Sequence, residues 1–352
     1  MSTSAFVIYG ATGYTGRLIV AEALAQGLRP VISGRDAASL AVFAAETRLE
    51  SRPASLDDPV ALDRALSGMR AVLHCAGPFH RMAGPMLEAC LRNRVHYLDI
   101  TGEIAVFERM AAADAEAREA GIVVLPGVGF DVVPSDCLAA HLSRRLPDAA
   151  SLTLAFTGGT GLSRGTATTM VEGIAQGGAL RRGGRLVRVP AAYATREIDF
   201  GDRTRHCVTI PWGDVSTAFH STGIPDIAVY TAVPRKTVRL MRLARPLLPL
   251  LGMAPMQRLL KARIAARTPG PSAERRAGAQ SRLWGEATAP DGRSAQARVV
   301  APDGYTLTAL TAVAAAVRVA EGTVAAGFQT PSRAFGADFI LTIPGTARED
   351  LP

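Results

Sequence analysis

The feature that most constrains the fold is Gly10-Ala-Thr-Gly13-Tyr-Thr-Gly16. It follows the apolar run Phe6-Val7-Ile8-Tyr9 and opens a segment of helical spacing from Arg17 to Gln26. A GxxGxxG pattern alone is weak, but between a strand and a helix it has a physical use. Glycine permits a tight turn and close approach of a pyrophosphate, and the helix start offers unpaired N–H donors with partial positive charge. Gly10, Thr12, Gly13, Tyr14, Thr15 and Gly16 are therefore the expected phosphate contacts of a dinucleotide. The other reading of the motif is an ordinary glycine-rich turn.

The second strand, Pro30 to Ser33, sharpens the cofactor. NAD-binding units usually place an acid at its end to accept the ribose 2′-OH. Here the strand ends Ser33-Gly34-Arg35, and a guanidinium at this point pairs with a 2′-phosphate, so NADP(H) is expected. Asp36, one residue later, reads as a helix N-cap.

The strand–helix beat continues. Asp57 to Leu66 reads as a helix capped by Asp57, Ala71 to Cys75 as a buried strand, and Pro85 to Arg92 as a helix. His96 to Ile100 reads as a strand, Glu103 to Ala120 as one long helix, and Ile122 to Leu125 as a strand. Such alternation predicts a doubly wound parallel sheet of the Rossmann type. After a helix over Ser135 to Arg145, the strands Ser151–Phe156, Arg196–Phe200, His206–Ile210 and Ile227–Val233 alternate polar and apolar residues. This suits a mixed α/β substrate domain with one face open to solvent or ligand. Ala167 to Gln176 reads as a helix between glycine clusters, Arg282–Thr288 and Ser294–Val300 as further strands, and Leu307 to Glu321 as an apolar helix. The expected organisation is α/β throughout. Residues 1–134 form the cofactor domain, 135–304 the substrate domain, and 305–352 return to the first domain.

Composition excludes several classes. With 48% hydrophobic and 20% charged residues the chain has ample material for a core and is not disordered. Cys75, Cys90, Cys137 and Cys207 lack CxxC spacing and read as reduced, mostly buried thiols, and no His/Asp/Glu cluster has metal-ligand spacing. The start lacks a charged leader, and the longest uncharged run, Pro246 to Gln257, is too short to span a bilayer and holds three prolines. The expected location is cytoplasmic.

Five segments in order carry a resemblance: Tyr9-GATGYTG-Arg17, Ser33-Gly-Arg-Asp36, Cys75-Ala-Gly-Pro-Phe79, His96-Tyr-Leu-Asp-Ile-Thr-Gly-Glu103 and Gly129-Phe-Asp-Val-Val-Pro-Ser-Asp136. The chain resembles the saccharopine dehydrogenase-like oxidoreductases, and within them the trans-acting enoyl reductase branch. The resemblance implies an NADP(H)-dependent hydride transfer to an activated double bond, C=C before C=N or C=O. It also implies a Rossmann domain, a mixed substrate domain and C-terminal elements returning to the first. Family members usually end in a helix, whereas Phe339 to Ile343 reads here as a strand.

Candidate site residues follow from position at strand ends, where ligands bind in doubly wound folds. Cys75, Ala76, Gly77 and Pro78 follow a strand, and their small size suits backbone approach to the nicotinamide ribose. Cys75 itself reads as a small buried hydrophobe before a nucleophile. His96, Tyr97, Asp99 and Asp131 are the candidates for supplying or relaying a proton. Thr101 could equally cap the following helix, Ser135 could be only an N-cap, and His74 reads as a hydrogen-bonded core residue, with His80 nearer a strand end. Gly158 to Gly161 and Gly165-Thr166 are read evenly as anion contacts or turns.

Two other functions compete, and short-chain dehydrogenase chemistry is excluded. Acyl-phosphate reduction needs a reactive thiolate, for which Cys137 is the nearest candidate, without the expected flanking motif. Short-chain dehydrogenases need Tyr-x-x-x-Lys, and neither Lys236 nor Lys261 has a tyrosine four residues before it. A nucleotide-binding protein without turnover, or one associated with a membrane, is the remaining class.

The net charge of +8 has one source: residues 227–273 hold seven Arg, two Lys and no acid, and the rest is near neutral. The excess of 37 Arg over 2 Lys fits a GC-rich coding sequence better than phosphate binding, so nucleic acid is not an expected partner. Arg235, Arg239 and Arg242 fall on one helical stripe, and Leu240, Leu243 and Leu247 on the next. Prolines break the helix, and Arg258, Lys261, Arg263 and Arg267 charge a second one. The segment 235–267 is expected to rest on the inner face of an anionic membrane, to cover a hydrophobic or lipid-like small-molecule substrate, or to pack on its own core or in a homodimer.

Overall fold

The computed structural model describes residues 5–159, 161–266 and 270–352. Thr160 of the second glycine cluster and Arg267 of the basic segment lie outside the described residues. The chain divides into two compact units: Met1–Val133 with Tyr305–Phe335, and Pro134–Gly304 with Gly336–Pro352.

In the first unit β1 (Phe6–Tyr9), α1 (Tyr14–Ala25), β2 (Val31–Gly34), α2 (Ala37–Thr47) and β3 (Ser51–Pro53) come first. They are followed by α3 (Pro59–Leu66), β4 (Ala71–His74), α4 (Phe79–Asn93), β5 (His96–Asp99), α5 (Ile104–Ala112), α6 (Asp114–Ala120) and β6 (Val123–Leu125). The strands are apolar on both faces. Phe6, Ile8, Ile32 and Leu73 enter one core layer, and Val7, Val31, Val72 and Tyr97 the other. A strand buried on both faces needs helices above and below, which the alternation supplies.

Local chemistry sets the helix starts. Asp36 accepts the Ser39 N–H at 3.1 Å ahead of α2. Asp58, not the expected Asp57, caps α3 through the Val60 and Ala61 N–H groups. Pro59 then takes the first helical position, where its missing N–H costs nothing. The helix expected over Glu103 to Ala120 is two, broken at Ala113, because Asp114 opens a new helix while accepting the Phe328 N–H at 2.7 Å.

The second unit begins along α7 (Val133–Arg145) and continues with β7 (Ser151–Thr157), α8 (Arg164–Gly173), β8 (Gly178–Arg182), β9 (Arg185–Val189), β10 (Thr195–Asp199) and β11 (Thr204–Thr209). Next come α9 (Asp214–Thr222), β12 (Asp226–Ala232), α10 (Arg235–Leu243), α11 (Leu248–Leu251), α12 (Ala254–Ala265), α13 (Ala273–Ala277), β13 (Gln280–Thr288) and β14 (Ser294–Pro302). Along the chain α14 (Gly304–Ala320), β15 (Gly327–Phe328), α15 (Pro331–Phe335) and β16 (Ala347–Leu351) complete the fold. Ser163 caps α8, accepting the Thr166 N–H at 3.2 Å, and the surrounding glycines at 158, 159 and 161 hold positive φ, as turn residues do.

The first unit's sheet runs β15-β6-β5-β4-β1-β2-β3, all neighbours parallel. Strand order reverses between β1 and β4, so a ligand crevice is expected outside their carboxyl ends. The second sheet runs β10-β11-β12-β7-β13-β14-β16, with β8 attached at β12 and β9 paired to β8; among the described residues only β12 and β7 of this sheet pair in parallel.

The C-terminal segment divides rather than returning whole to the first unit. Ala309, Ala312, Val313, Ala316 and Val319 of α14 are buried with Phe6 and Ile8 in the first core. From Gly336 onward the chain belongs to the second unit, where β16 takes the open edge of β14. An edge strand carries unpaired backbone groups, and β16 satisfies one row of them. Phe339 to Thr342 is a 3₁₀ turn, not the expected strand. Its N–H groups bond three residues back, and the neighbouring buried Phe339 and Ile340 do not alternate across a sheet. Among the described residues no helix is long and apolar enough to cross a membrane, and no cluster of side chains could hold a metal ion.

Candidate functional site

The crevice is built from loops at the carboxyl ends of β1, β2, β4, β5 and β6. In the first loop Gly10 has φ 81° and donates to the Ser33 carbonyl at 2.9 Å, tying β1 to β2. A side chain at Gly10 would put its Cβ 2.8 Å from the Ala76 nitrogen, so the loops after β1 and β4 touch through backbone alone. Gly16 is buried, and a Cβ there would stand 2.3 Å from the Gly10 oxygen. Gly13 is the N-cap of α1 and supplies no capping side chain. In the first turn the Thr15 and Gly16 N–H groups thus have no capping side chain and suit an anion. Tyr14 packs edge-on against Tyr305 with centroids 5.0 Å apart.

At the end of β2, Ser33 is fully buried and its hydroxyl donates to the Arg52 carbonyl at 2.6 Å. The proton of that hydroxyl is thus committed to tying β2 to β3. Gly34 leaves open space, and Arg35 is exposed, with no hydrogen bond or ion pair among the described residues. A cradle that any Cβ would fill, open helix donors and an unpaired guanidinium fit a dinucleotide carrying a 2′-phosphate.

After β4, Cys75 is partly buried, its Sγ pointing to the Leu73 carbonyl at 3.7 Å, and burial pushes its thiol up, away from thiolate character. Ala76, Gly77 and Pro78 lead into α4, whose first turn is capped from a distance. Glu103 accepts the N–H groups of Phe79 and His80 at 2.8 and 3.0 Å and pairs with His80 Nδ1 at 2.9 Å. No local signal linked Glu103 to a helix 24 residues earlier. Thr101 Oγ1 accepts the Glu103 N–H at 3.1 Å, so it braces this loop without being the N-cap of α5.

The four proton-transfer candidates separate. His96 opens β5, at the amino end of the sheet and remote from the crevice. Its Nδ1 accepts the Val123 N–H at 3.0 Å, and burial followed by the charge of Arg70 lowers its pKa. Tyr97 is wholly buried, and its hydroxyl donates to Asp99 Oδ2 at 2.6 Å. Asp99 is also fully buried, and its Oδ1 accepts the Thr101 and Gly127 N–H groups at 3.0 and 2.9 Å. These bonds clamp the β5 loop to the β6 loop, so Tyr97 and Asp99 organise the crevice and His96 does not join it. Cys137 is buried and burial pushes its thiol up, away from the reactive thiolate that acyl-phosphate chemistry needs. His74 is buried against Tyr9, Phe79 and Tyr97, and neither ring nitrogen finds a partner. Burial lowers its pKa to about 3, so the expected hydrogen-bonded histidine is a neutral ring held by packing.

Asp131 differs from the others. It retains partial access to solvent, its Oδ2 lies where a Cβ on Gly102 would approach within 2.6 Å, and burial pushes its pKa to about 7. The loop carrying it is held by α14. Phe130 N–H donates to Thr308 Oγ1 at 3.0 Å, and Thr311 Oγ1 donates to the Val128 carbonyl at 2.8 Å. These contacts span about half the chain and leave no local mark in the sequence.

The clamp makes a testable statement about stability. Burial raises the Asp99 pKa from 3.8 to about 6, so between those values the folded protein keeps a proton that the unfolded chain loses. This contribution is full below the unfolded pKa and is lost as pH rises through about 6, a change on the order of 3 kcal/mol. Asp99→Asn is expected to flatten urea-measured stability between pH 4 and 6 relative to the parent. Parallel pH curves for the two proteins would contradict a raised Asp99.

Fold and crevice together define a dinucleotide-binding Rossmann-type unit. Residues 6–125 match the family described as the saccharopine dehydrogenase NADP binding domain, a description that gives the cofactor as NADP(H). Among curated proteins, a probable mitochondrial saccharopine dehydrogenase-like oxidoreductase of Arabidopsis thaliana is 31% identical over 147 residues, covering 37% of this chain and 32% of that protein. A saccharopine dehydrogenase-like oxidoreductase of Mus musculus is 26% identical over 202 residues, covering 50% and 47%. A trans-acting enoyl reductase of Mycobacterium ulcerans is 29% identical over 162 residues, covering 43% and 38%. The matched stretches span less than half the length of these relatives. Apo saccharopine dehydrogenase (L-Glu forming) from Saccharomyces cerevisiae shares the fold, with a TM-score of 0.66 at 11% identity and 99% of both chains covered.

Proposed function

We propose that the chain is an NADP(H)-dependent oxidoreductase that reduces an activated C=C of a hydrophobic small molecule, in the manner of an enoyl reductase. The observation that carries the reading is the pairing of a dinucleotide crevice with Asp131, a carboxyl held near neutrality beside it. When bound, the cofactor supplies a hydride. The Gly10–Gly16 loop and the start of α1 hold the pyrophosphate, and Arg35 holds the 2′-phosphate. Asp99 and Glu103 fix the loops after β4, β5 and β6. Asp131 delivers the proton that balances reduction of the double bond, which its pKa of about 7 permits at neutral pH. The relatives named enoyl reductase support C=C as the acceptor, and those named for saccharopine dehydrogenase keep C=N as the second choice.

The test is NADPH oxidation with a conjugated enoyl thioester, set against imine and ketone acceptors. Turnover is expected to fall as pH rises through about 7, as the acid form of Asp131 is lost. Asp131→Asn should cut kcat by roughly a hundredfold or more and remove that alkaline limb, with NADPH affinity unchanged. Full turnover in this variant would remove Asp131 as the acid. NADPH binding without oxidation by any acceptor would overturn the enzymatic reading.

A further inference from the structure

The second unit carries a basic, leucine-bearing helical segment that plays no part in the chemistry above. Leu240 and Leu243 of α10 are 65% and 77% exposed, and Leu247, Leu250, Met253 and Leu259 are about half exposed. The helices are nonetheless anchored. Val238 is buried with Ala192 and Val208, and Arg242 and Arg245 donate to the carbonyls of Ala191 and Ala192. Gln257 donates to the Val171 carbonyl at 2.9 Å, and Lys261 pairs with Glu172, which ties α12 to α8. The exposed leucines are therefore displayed by fixed helices.

Charge surrounds them. Lys236, Arg239, Arg258 and Arg263 are exposed and make no ion pair among the described residues, and no acid occurs between residues 227 and 273. A surface of leucines in water costs free energy that only an apolar phase relieves. A polyanion such as nucleic acid would neutralise the cations but leave the leucines wet. A second copy in a two-fold contact would set this cationic face against itself.

We propose that this face docks on an anionic lipid bilayer. Its leucines enter the headgroup–acyl boundary and its cations meet lipid phosphate and carboxylate. Because no described helix is long and apolar enough to cross, the contact is interfacial. It is independent of the oxidoreductase reading and stands or falls without it.

Co-sedimentation of the full chain with phosphatidylcholine vesicles, with and without phosphatidylserine, tests this. Binding is expected only with phosphatidylserine and should weaken as salt rises. Each cation near such a surface contributes about fivefold, so K236Q/R239Q should lower the partition coefficient roughly thirtyfold. L240S/L243S, which keeps every charge, should lower it at least about tenfold. Thermal melts of both variants should match the parent, since all four side chains are exposed. No binding to anionic vesicles overturns the proposal, as does binding unchanged by the leucine substitutions. A dimer in sedimentation velocity that L240S/L243S dissolves would assign the face to a second copy and equally overturn it.

Discussion

Alanine at Gly16 is expected to weaken NADPH binding at least about tenfold and to lower stability by roughly 1–3 kcal/mol. The added Cβ would meet the Gly10 oxygen at 2.3 Å, the Ala11 Cα at 2.9 Å and the Ala11 oxygen at 3.0 Å, all backbone atoms that no rotamer change can move. The helix cannot step back either, because Ile19, Val20 and Ala23 on the same element are packed in the core. Strain therefore goes into the loop, which turns the N–H donors of the helix start away from a bound anion. Circular dichroism melts and NADPH fluorescence titration read the two effects separately. Gly34→Ala is the control, since its methyl meets nothing within 4 Å, and it should keep the parent melting temperature. An unaltered melt and affinity in Gly16→Ala would mean that the close approach of loop and helix is not as drawn.

Arg35→Ala is expected to weaken NADPH binding about tenfold to a hundredfold, the loss of charged hydrogen bonds on the order of 1.5–3 kcal/mol, while NADH affinity hardly changes. Arg35 is exposed and has no protein partner among the described residues, so its removal should leave the fold intact. The change should therefore appear as a collapse of the NADPH over NADH preference and not as a loss of folded protein. The contrast matters because Asp36, the nearest acid, is occupied as the cap of α2 and bonds Ser39. An equal loss for both cofactors would place Arg35 at the pyrophosphate or adenine instead. Unchanged NADPH affinity would remove the residue from the site.

Much of the first unit was legible because its signals are local. The apolar tetrapeptide, the glycine loop and the helical spacing of α1 lie within 20 consecutive residues. The alternation that follows repeats the same short-range grammar of strand, turn and cap. Even the error at Asp57 was one residue wide, and Pro59 explains it. The four acid–base candidates were not separable in the same way. His96, Tyr97 and Asp99 sit within one strand, yet the first lies at the wrong end of the sheet and the other two are buried in a clamp.

The sequence by itself determined the dinucleotide cradle, the Rossmann-type order of elements and the concentration of charge in residues 227–273. Each depends on residues near one another in the chain. Tertiary structure alone decided that Glu103 caps α4, that Asp99 joins two loops, and that Thr308 holds Phe130 beside Asp131. It also decided that the C-terminal segment divides at Gly336, because α14 fits the first core and β16 fits the open edge of β14. Burial explains the difference. A carboxyl acquires a pKa near neutrality, and a side chain becomes exposed or spent, only when distant elements close around it.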